Sequence, residues 1–415
     1  MNLIRYIKKE LYVEDCAVSR LVEKHSTPLF VYSKAMIAHN WRQFESPEFK
    51  NKQMVCYAVK ANSNISILST LAKLGAGFDV VSQGELARVI AAGGDPKRII
   101  FSGVGKKSSE IAYALDAGIF SFNVESEAEL YRINKVAAGI NKIATISIRV
   151  NPDVSVDTHP YISTGLKENK FGVSIEDAKP LYIQAKTLSH VSLKGIDFHI
   201  GSQITDISPF LDSIDRMLQL IDELSDLGIS LTHLNVGGGI GVQYDNKSPL
   251  LATNYVKAVF EKVKQRDLTL IFEPGRAVVA NAGVLITEIE LIKNNGEKNF
   301  AIVDAAMNDL LRPALYGAWH NIHPVVEHDN LTSKVYDVVG PVCESSDFLG
   351  KNRTLAIEEG DYLAIFSTGA YSFCMSSNYN SRPKAAEVLI DGDTAHLISK
   401  RESINDLWRN EVLIK

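Results

Sequence analysis

No two cysteines in this chain stand close enough for a CxxC motif. The four present, Cys16, Cys56, Cys343 and Cys374, are scattered over 415 residues. That scatter argues against a disulfide scaffold and a cysteine-built zinc site, and it leads us to expect a reducing, cytoplasmic compartment. Long apolar runs are missing too: nothing approaches the roughly 18 uninterrupted apolar residues of a membrane-spanning helix. The opening, Met1–Glu10, holds Arg5, Lys8 and Lys9 but no apolar stretch of signal-peptide length, so no secretory signal is expected. The formal net charge is only −5, which offers no basic surface for nucleic acid or anionic membrane. There is no clustered His/Asp ligand set, so no metal is expected, and we find no short-period repeat or low-complexity tract. What remains is an ordinary globular composition, 46% hydrophobic and 22% charged, with a mean hydropathy of −0.01. At this length two domains are expected.

Eight short β-branched or aromatic-rich runs recur along the first two thirds of the chain: Val55–Val59, Phe78–Val81, Ile99–Ser102, Phe120–Val124, Ala144–Val150, Gly195–Ile200, His233–Val236 and Leu268–Phe272. Helical spacing fills the gaps between them. It is clearest over Ile207–Gly228, where Phe210, Leu211, Ile214, Met217, Leu218, Ile221 and Leu224 share a face and Gly228 closes the helix. Strands alternating with helices and apolar on both faces predict a parallel sheet closed into a (β/α)8 TIM barrel; an open doubly wound sheet is the alternative. The connector Asn151–Glu176 is long and polar, with Thr158-His159-Pro160-Tyr161 inside it, and reads as a lid or interface segment. Beyond Arg276 the rhythm changes. Val284–Lys293, Phe300–Asp304, Lys334–Val339 and Tyr362–Phe366 read as strands, and Val388–Ile398 as a hairpin about Asp391-Gly392-Asp393. One helical insert near Met307 carries Arg312 and Tyr316. The expected organisation is a barrel over residues 26–280 and a mostly β second domain built from 1–25 and 281–415.

In such a barrel the chemistry gathers at the C-terminal ends of the strands. Those ends hold Lys60, Asp79, Ser102, Asn123, Arg149, His199, Gly237–Gly239 and Glu273. A lysine closing the apolar run Met54–Val59 is an anomaly: burial disfavours its charge and lowers its pKa, making it a nucleophile suited to an imine with a carbonyl. Asn235-Val-Gly237-Gly238-Gly239-Ile-Gly241 lacks the spacing of a dinucleotide fingerprint. It suits either a tight turn or an anion held by backbone N–H groups, and barrel phosphate sites fall after strands seven and eight. Taken singly, Glu273 reads as a cap, His199 as a satisfied buried histidine and Ser202 as a helix N-cap. Together they supply what pyridoxal 5′-phosphate needs: an imine-forming lysine, a flat group over the ring, phosphate donors and a partner for the pyridine nitrogen.

Six ordered motifs carry a family resemblance: Tyr57-Ala-Val-Lys60-Ala-Asn62, Gly77-Phe-Asp79-Val-Val-Ser82, His199-Ile-Gly-Ser202, Gly237-Gly-Gly239, Glu273-Pro-Gly-Arg276 and Cys343-Glu344. They resemble the fold type III, alanine-racemase-like decarboxylases that use pyridoxal phosphate, over nearly the whole chain. Among these the likeness is strongest to the members that convert meso-2,6-diaminopimelate to L-lysine. The resemblance implies that Lys60 tethers the cofactor, with Asp79 orienting that lysine, and that His199 stacks on the ring. It implies that Ser202, Gly238, Gly239, Gly275, Arg276 and Tyr371 surround the phosphate, and that Glu273 meets the pyridine nitrogen. Racemases of this fold place a cation there, so Glu273 speaks for decarboxylation. Arg276, Arg312, Tyr316 and Tyr371 would bind substrate, with Arg276, Arg312 and Tyr316 at its distal carboxylate and Glu344 at its distal ammonium. Cys343 would return a proton to carbon after CO2 loss. A homodimer with shared active sites is implied as well. Sister enzymes acting on ornithine, arginine or a carboxylated polyamine are the alternative, and their substrates would set a distal cation against Arg312. A non-catalytic cofactor-binding barrel is a further alternative, although it would have no use for Cys343-Glu344.

Overall fold

The computed structural model describes residues 2–154, 170–244 and 249–414. The Thr158–Tyr161 segment of the long connector lies outside the described residues. The chain divides into two compact units, one of Asn40–Val242 and Pro249–Ala277, the other of Met1–His39, Gln243–Ser248 and Val278–Lys415.

The first unit is the barrel. Its eight strands run Gln53–Ala58, Gly77–Val80, Ile99–Phe101, Ser121–Val124, Ala144–Asn151, Val191–Asp197, His233–Asn235 and Thr269–Phe272. Each pairs in parallel with the next, and the circle closes where Leu270, Ile271 and Phe272 face Gln53, Met54 and Val55. All eight apolar runs read from the sequence are thus barrel strands. Phe78, Ile100, Phe122, Ile146, Ile148 and Leu270 are buried, each contributing roughly 1.5–3 kcal/mol against exposure. Four of the crossing helices begin at short polar side chains: Asn64, Ser82, Ser126 and Ser174 each accept a backbone N–H of the first turn. The longest helix, Ser208–Asp226, buries Phe210, Ile214, Met217, Leu218, Ile221 and Leu224 along one stripe and ends before Gly228, whose φ is 69°. Because every strand runs the same way, all eight C-terminal ends open on one mouth.

In the other unit, nine strands form one sheet. Its main path runs Phe348–Leu355, Lys334–Val339, Asn299–Val303, Gly283–Asn294, Leu29–Ser33, Ala386–Asp391 and Thr394–Ser399. The twelve-residue strand Gly283–Asn294 is its spine. One half pairs with Leu29–Tyr32 and with Tyr362–Phe366, the other with Asn299–Val303. The hairpin turns at Gly392, φ 65°. One expectation is corrected here. Residues 26–39 do not sit with the barrel, because Leu29–Ser33 pairs antiparallel with Gly283–Ile286 and parallel with Ala386–Ile390. A fully buried strand fits a central place in either sheet, and only long-range pairing decides between them. The N-terminal strands Ile4–Ile7, Glu10–Val13 and Cys16–Ala17 form a small sheet of this same unit. Among the described residues, no helix is long and apolar enough to cross a membrane.

Candidate active site

The first barrel strand ends at Ala58, and Lys60 sits in the 3-10 turn Val59–Ala61. Its side chain keeps 40% of its exposure. The turn carries it out of the strand and into the mouth. There Nζ lies 2.9 Å from Oδ2 of Asp79, whose own side chain is wholly buried on the second strand. The second oxygen, Asp79 Oδ1, meets no hydrogen-bond donor among the described residues. Lys60 is thus held against a buried carboxylate.

Acidic side chains outnumber cationic ones around this lysine. Asp197 ends the sixth strand, buried, 3.9 Å from Arg149 Nε and with Oδ1 likewise lacking a hydrogen-bond partner among the described residues. Burial lifts its pKa to about 7; Arg149 opposes the rise, while Glu125 and Asp79 add to it. Glu273, just past the eighth strand, is pushed well above the ordinary carboxylate range, first by burial and then by Asp79 and Asp197, against Lys60 and a hydrogen bond from Asn235. Glu85, on the helix after Asp79, rises to about 7 through burial. His199 is driven the other way: burial, then Arg149 and Lys60, hold its imidazole well below its usual pKa and so neutral. Gly238 N–H donates to His199 Nδ1 at 3.3 Å, which places the ring proton on Nε2.

The glycine-rich turn follows the seventh strand. Gly237 and Gly239 have φ of 64° and 113°, and a Cβ on Gly239 would come 2.6 Å from Gly201 O. A Cβ on Gly238 would run into the carbonyl oxygen of Glu273. Gly275 packs on Ala58 and Ala61, beside the turn that carries Lys60. Arg276, buried, donates from Nε and Nη2 to Ser202 Oγ at 3.2 and 2.9 Å. Ser202 is thus an acceptor for this arginine, whereas the helix Ser208–Asp226 is preceded by Asp206, which accepts from Ser208.

This donor set fits pyridoxal phosphate: close-approach glycine amides, a hydroxyl and a guanidinium for a phosphate, and buried carboxylates in excess of cations for a protonated ring nitrogen. Lys60, Asp79, His199, Ser202, Gly238, Gly239, Glu273, Gly275 and Arg276 all belong to the barrel; Lys60 is hydrogen-bonded to Asp79, and its charge acts on the protonation of Glu85, Asp197, His199 and Glu273. Sequence reasoning missed Asp197 and Asn235. Each lies two residues before a named one, His199 and Gly237, and alternation along a strand was the signal available.

The other sequence-predicted residues belong to the β-rich unit. Arg312 and Tyr316 begin and end the short helix Arg312–Tyr316. Arg312 is buried; its guanidinium meets His320 Nε2 at 3.0 Å and lies 4.7 Å from the ring centre of Tyr244. His320 Nδ1 lies 2.8 Å from Phe366 O, an acceptor only, so this ring is a neutral imidazole receiving the Arg312 bond. Cys343 and Glu344 are exposed: the Cys343 N–H donates to Asn380 Oδ1 at 2.8 Å, and Tyr379 Oη lies 3.4 Å from Glu344 Oε2. Tyr371, at φ 55°, follows Gly369, where a Cβ would strike the Val279 carbonyl.

Comparison with known proteins places these features in a family. Residues 34–280 match the model of the pyridoxal-dependent decarboxylases, pyridoxal binding domain. The chain is 52% identical to diaminopimelate decarboxylase of Pseudomonas aeruginosa, over 100% of both chains, and 52% identical to that of Haemophilus influenzae, again over 100% of both. Among solved structures, diaminopimelate decarboxylase from Helicobacter pylori complexed with L-lysine superposes with a TM-score of 0.91 at 45% identity, covering 95% of this chain and 99% of that one.

Proposed function

From the premise that this chain belongs to the pyridoxal-dependent decarboxylases, we propose that it removes CO2 from meso-2,6-diaminopimelate to give L-lysine. The observation that carries the reading is the full-length 52% identity to enzymes of that activity, joined to a barrel mouth whose lysine is held by buried Asp79. Pyridoxal phosphate supplies an electron sink for the pair left on Cα when CO2 departs.

The chain's own residues do the rest. Lys60 Nζ, presented to the mouth by the Val59–Ala61 turn and steadied by Asp79, would hold the cofactor by its aldehyde. Glu273 would partner the ring nitrogen. Its raised pKa means that it releases a proton only when a cation is near, which is the condition a protonated pyridine meets. A neutral His199 suits a face-on contact, since an imidazolium would oppose a cationic ring. Gly238 and Gly239, with Ser202, Gly275, Arg276 and Tyr371, are assigned to the surroundings of the phosphate. Arg276, Arg312, Tyr316 and Tyr371 are assigned to substrate, the first three to the distal carboxylate, where a guanidinium gives bidentate recognition. Glu344 is assigned to the distal ammonium and Cys343 to delivering the proton to carbon. We further propose a homodimer in which Cys343 and Glu344 complete the partner's site, working in the cytoplasm, where free thiols persist.

The test is CO2 release measured side by side on meso-diaminopimelate, ornithine and arginine. Diaminopimelate is expected to be turned over far faster. Equal or faster turnover of ornithine would sink the substrate assignment in favour of a sister decarboxylase. Sedimentation of the purified chain tests the dimer: a monomer retaining full activity would refute shared sites.

A further inference from the structure

We propose that Asn235 is a positioning residue that sets the spacing between the phosphate-binding turn and the carboxyl group facing the ring nitrogen, holding one with each end of its amide. The inference rests on the roles assigned above to Glu273 and the glycines. Asn235 is the last residue of the seventh strand and is wholly buried. Its Oδ1 accepts the Gly237 N–H at 2.9 Å, and its Nδ2 donates to Glu273 Oε1 at 2.5 Å.

Those two contacts settle which end of the amide is which. An N–H on one side demands the oxygen there, so the NH2 group must face the carboxyl, and a flipped amide would lose both bonds. A donor fixed on Oε1 keeps that oxygen an acceptor whether or not Glu273 is ionised. A proton taken up by the carboxyl, or a bond from it to a ring nitrogen, therefore falls to Oε2. The same donor favours the ionised form against burial and against Asp79 and Asp197, which push the acid toward neutrality. The backbone is anchored as well: Phe198 N–H, next to His199, donates to Asn235 O at 3.1 Å, and Glu273 N–H donates to Gly237 O at 2.7 Å. Strand six, the glycine turn and the acid after strand eight are thus referenced to one buried residue. A cofactor that carries its phosphate arm and its ring nitrogen on one planar ring needs the groups that bind the two to keep a matched separation, and this amide spans those groups.

The experiment titrates the full chain, stripped of cofactor, with pyridoxal 5′-phosphate and with pyridoxal, by equilibrium dialysis. Pyridoxal affinity reads the ring end, and the ratio of the two affinities reads the phosphate end. Asn235→Asp keeps an oxygen for Gly237 N–H but sets an acceptor against Glu273. Its pyridoxal affinity is expected to fall on the order of 10- to 100-fold, as for loss of a hydrogen bond to a charged group, with the ratio kept within about threefold. Asn235→Ala is expected to lower both. Glu273→Gln, with Asn235 intact, tests the underlying reading and is expected to weaken pyridoxal without changing the ratio. If Glu273→Gln binds both as the wild type does, it is the role of the acid that fails. If it weakens pyridoxal while Asn235→Asp binds both normally, the strut is overturned and the acid's role stands. A changed ratio in Asn235→Asp also overturns the proposal, since the residue would then be general packing. Should Asn235→Asp not fold, Asn235→Ser, whose hydroxyl reaches Gly237 but not Glu273, is expected to show the same pattern. If neither folds, Asn235 is a folding element and the proposal fails.

Discussion

Replacing Lys60 by alanine should both silence the enzyme and destabilise the cofactor-free chain, although the lysine itself is half exposed. The reason is Asp79. Its carboxylate is wholly buried, one oxygen lies 2.9 Å from Lys60 Nζ, and the other has no hydrogen-bond donor among the described residues. Removing one partner of a fully buried ion pair costs roughly 3–5 kcal/mol, because a buried charge is stranded. Here the lysine keeps 40% of its exposure, so water already screens the pair and about 1–2 kcal/mol is expected to remain. Lys60 also favours ionisation of Asp197 and Glu273, so its loss leaves three acids crowded without their shared cation. Urea unfolding of cofactor-free protein at pH 7 measures the effect, and Lys60→Ala/Asp79→Asn should recover most of it. The same Lys60→Ala protein should lack the visible absorbance of bound cofactor and release no CO2. A Lys60→Ala chain as stable as the wild type, or one not rescued by Asp79→Asn, would refute the electrostatic account. One that stays coloured and active would refute the tether.

Three further outcomes follow from named contacts. Arg312→Ala should raise the KM for diaminopimelate by about 10- to 100-fold, the worth of a charge-assisted bond, with a smaller effect on kcat; an unaltered KM would remove Arg312 from the substrate. Cys343→Ala should bind cofactor normally, as judged by absorbance, yet turn over about 100- to 10,000-fold more slowly if the thiol delivers the proton, and an unchanged rate would end that role. Asp309, buried in the β-rich unit, has its pKa raised from 3.8 to about 7 by burial. The fold holds its proton where the unfolded chain has lost it, so stability falls as pH climbs from about 4 to about 7 and levels off above. Asp309→Asn keeps an acceptor for the Ala306 N–H and should therefore stabilise the chain at pH 8 by up to a few kcal/mol, since each tenfold difference in proton affinity is worth about 1.4 kcal/mol, with little change at pH 4. Equal gains at both pH values would show that the effect is not titration.

Much of the barrel and its mouth was legible in the residues. Strand periodicity and the helical stripe from Phe210 to Leu224 are local, and once eight strands are parallel, Lys60, Asp79, His199, Gly237–Gly239 and Glu273 must share one end. The chemical types at those ends, read with the six motifs, were enough to indicate the cofactor. What the residues could not reveal is how far each group is from water and which distant group it meets. Lys60 looked buried because the run before it is apolar; its exposure depends on the strand stopping at Ala58 and turning outward. Leu29–Ser33 reads equally well as a barrel strand, and its pairing with Gly283–Ile286, over 250 residues away, assigns it elsewhere. The neighbours of Arg312 are likewise set by the fold, which buries it between His320 and Tyr244. Asp197 and Asn235 went unnoticed because their partners, Arg149 and Glu273, are set by register between strands rather than by spacing along one. Spacing along the chain is a local property and chooses the elements; register and closure join residues far apart in sequence, and only there do burial, ion pairing and proton affinity take their values.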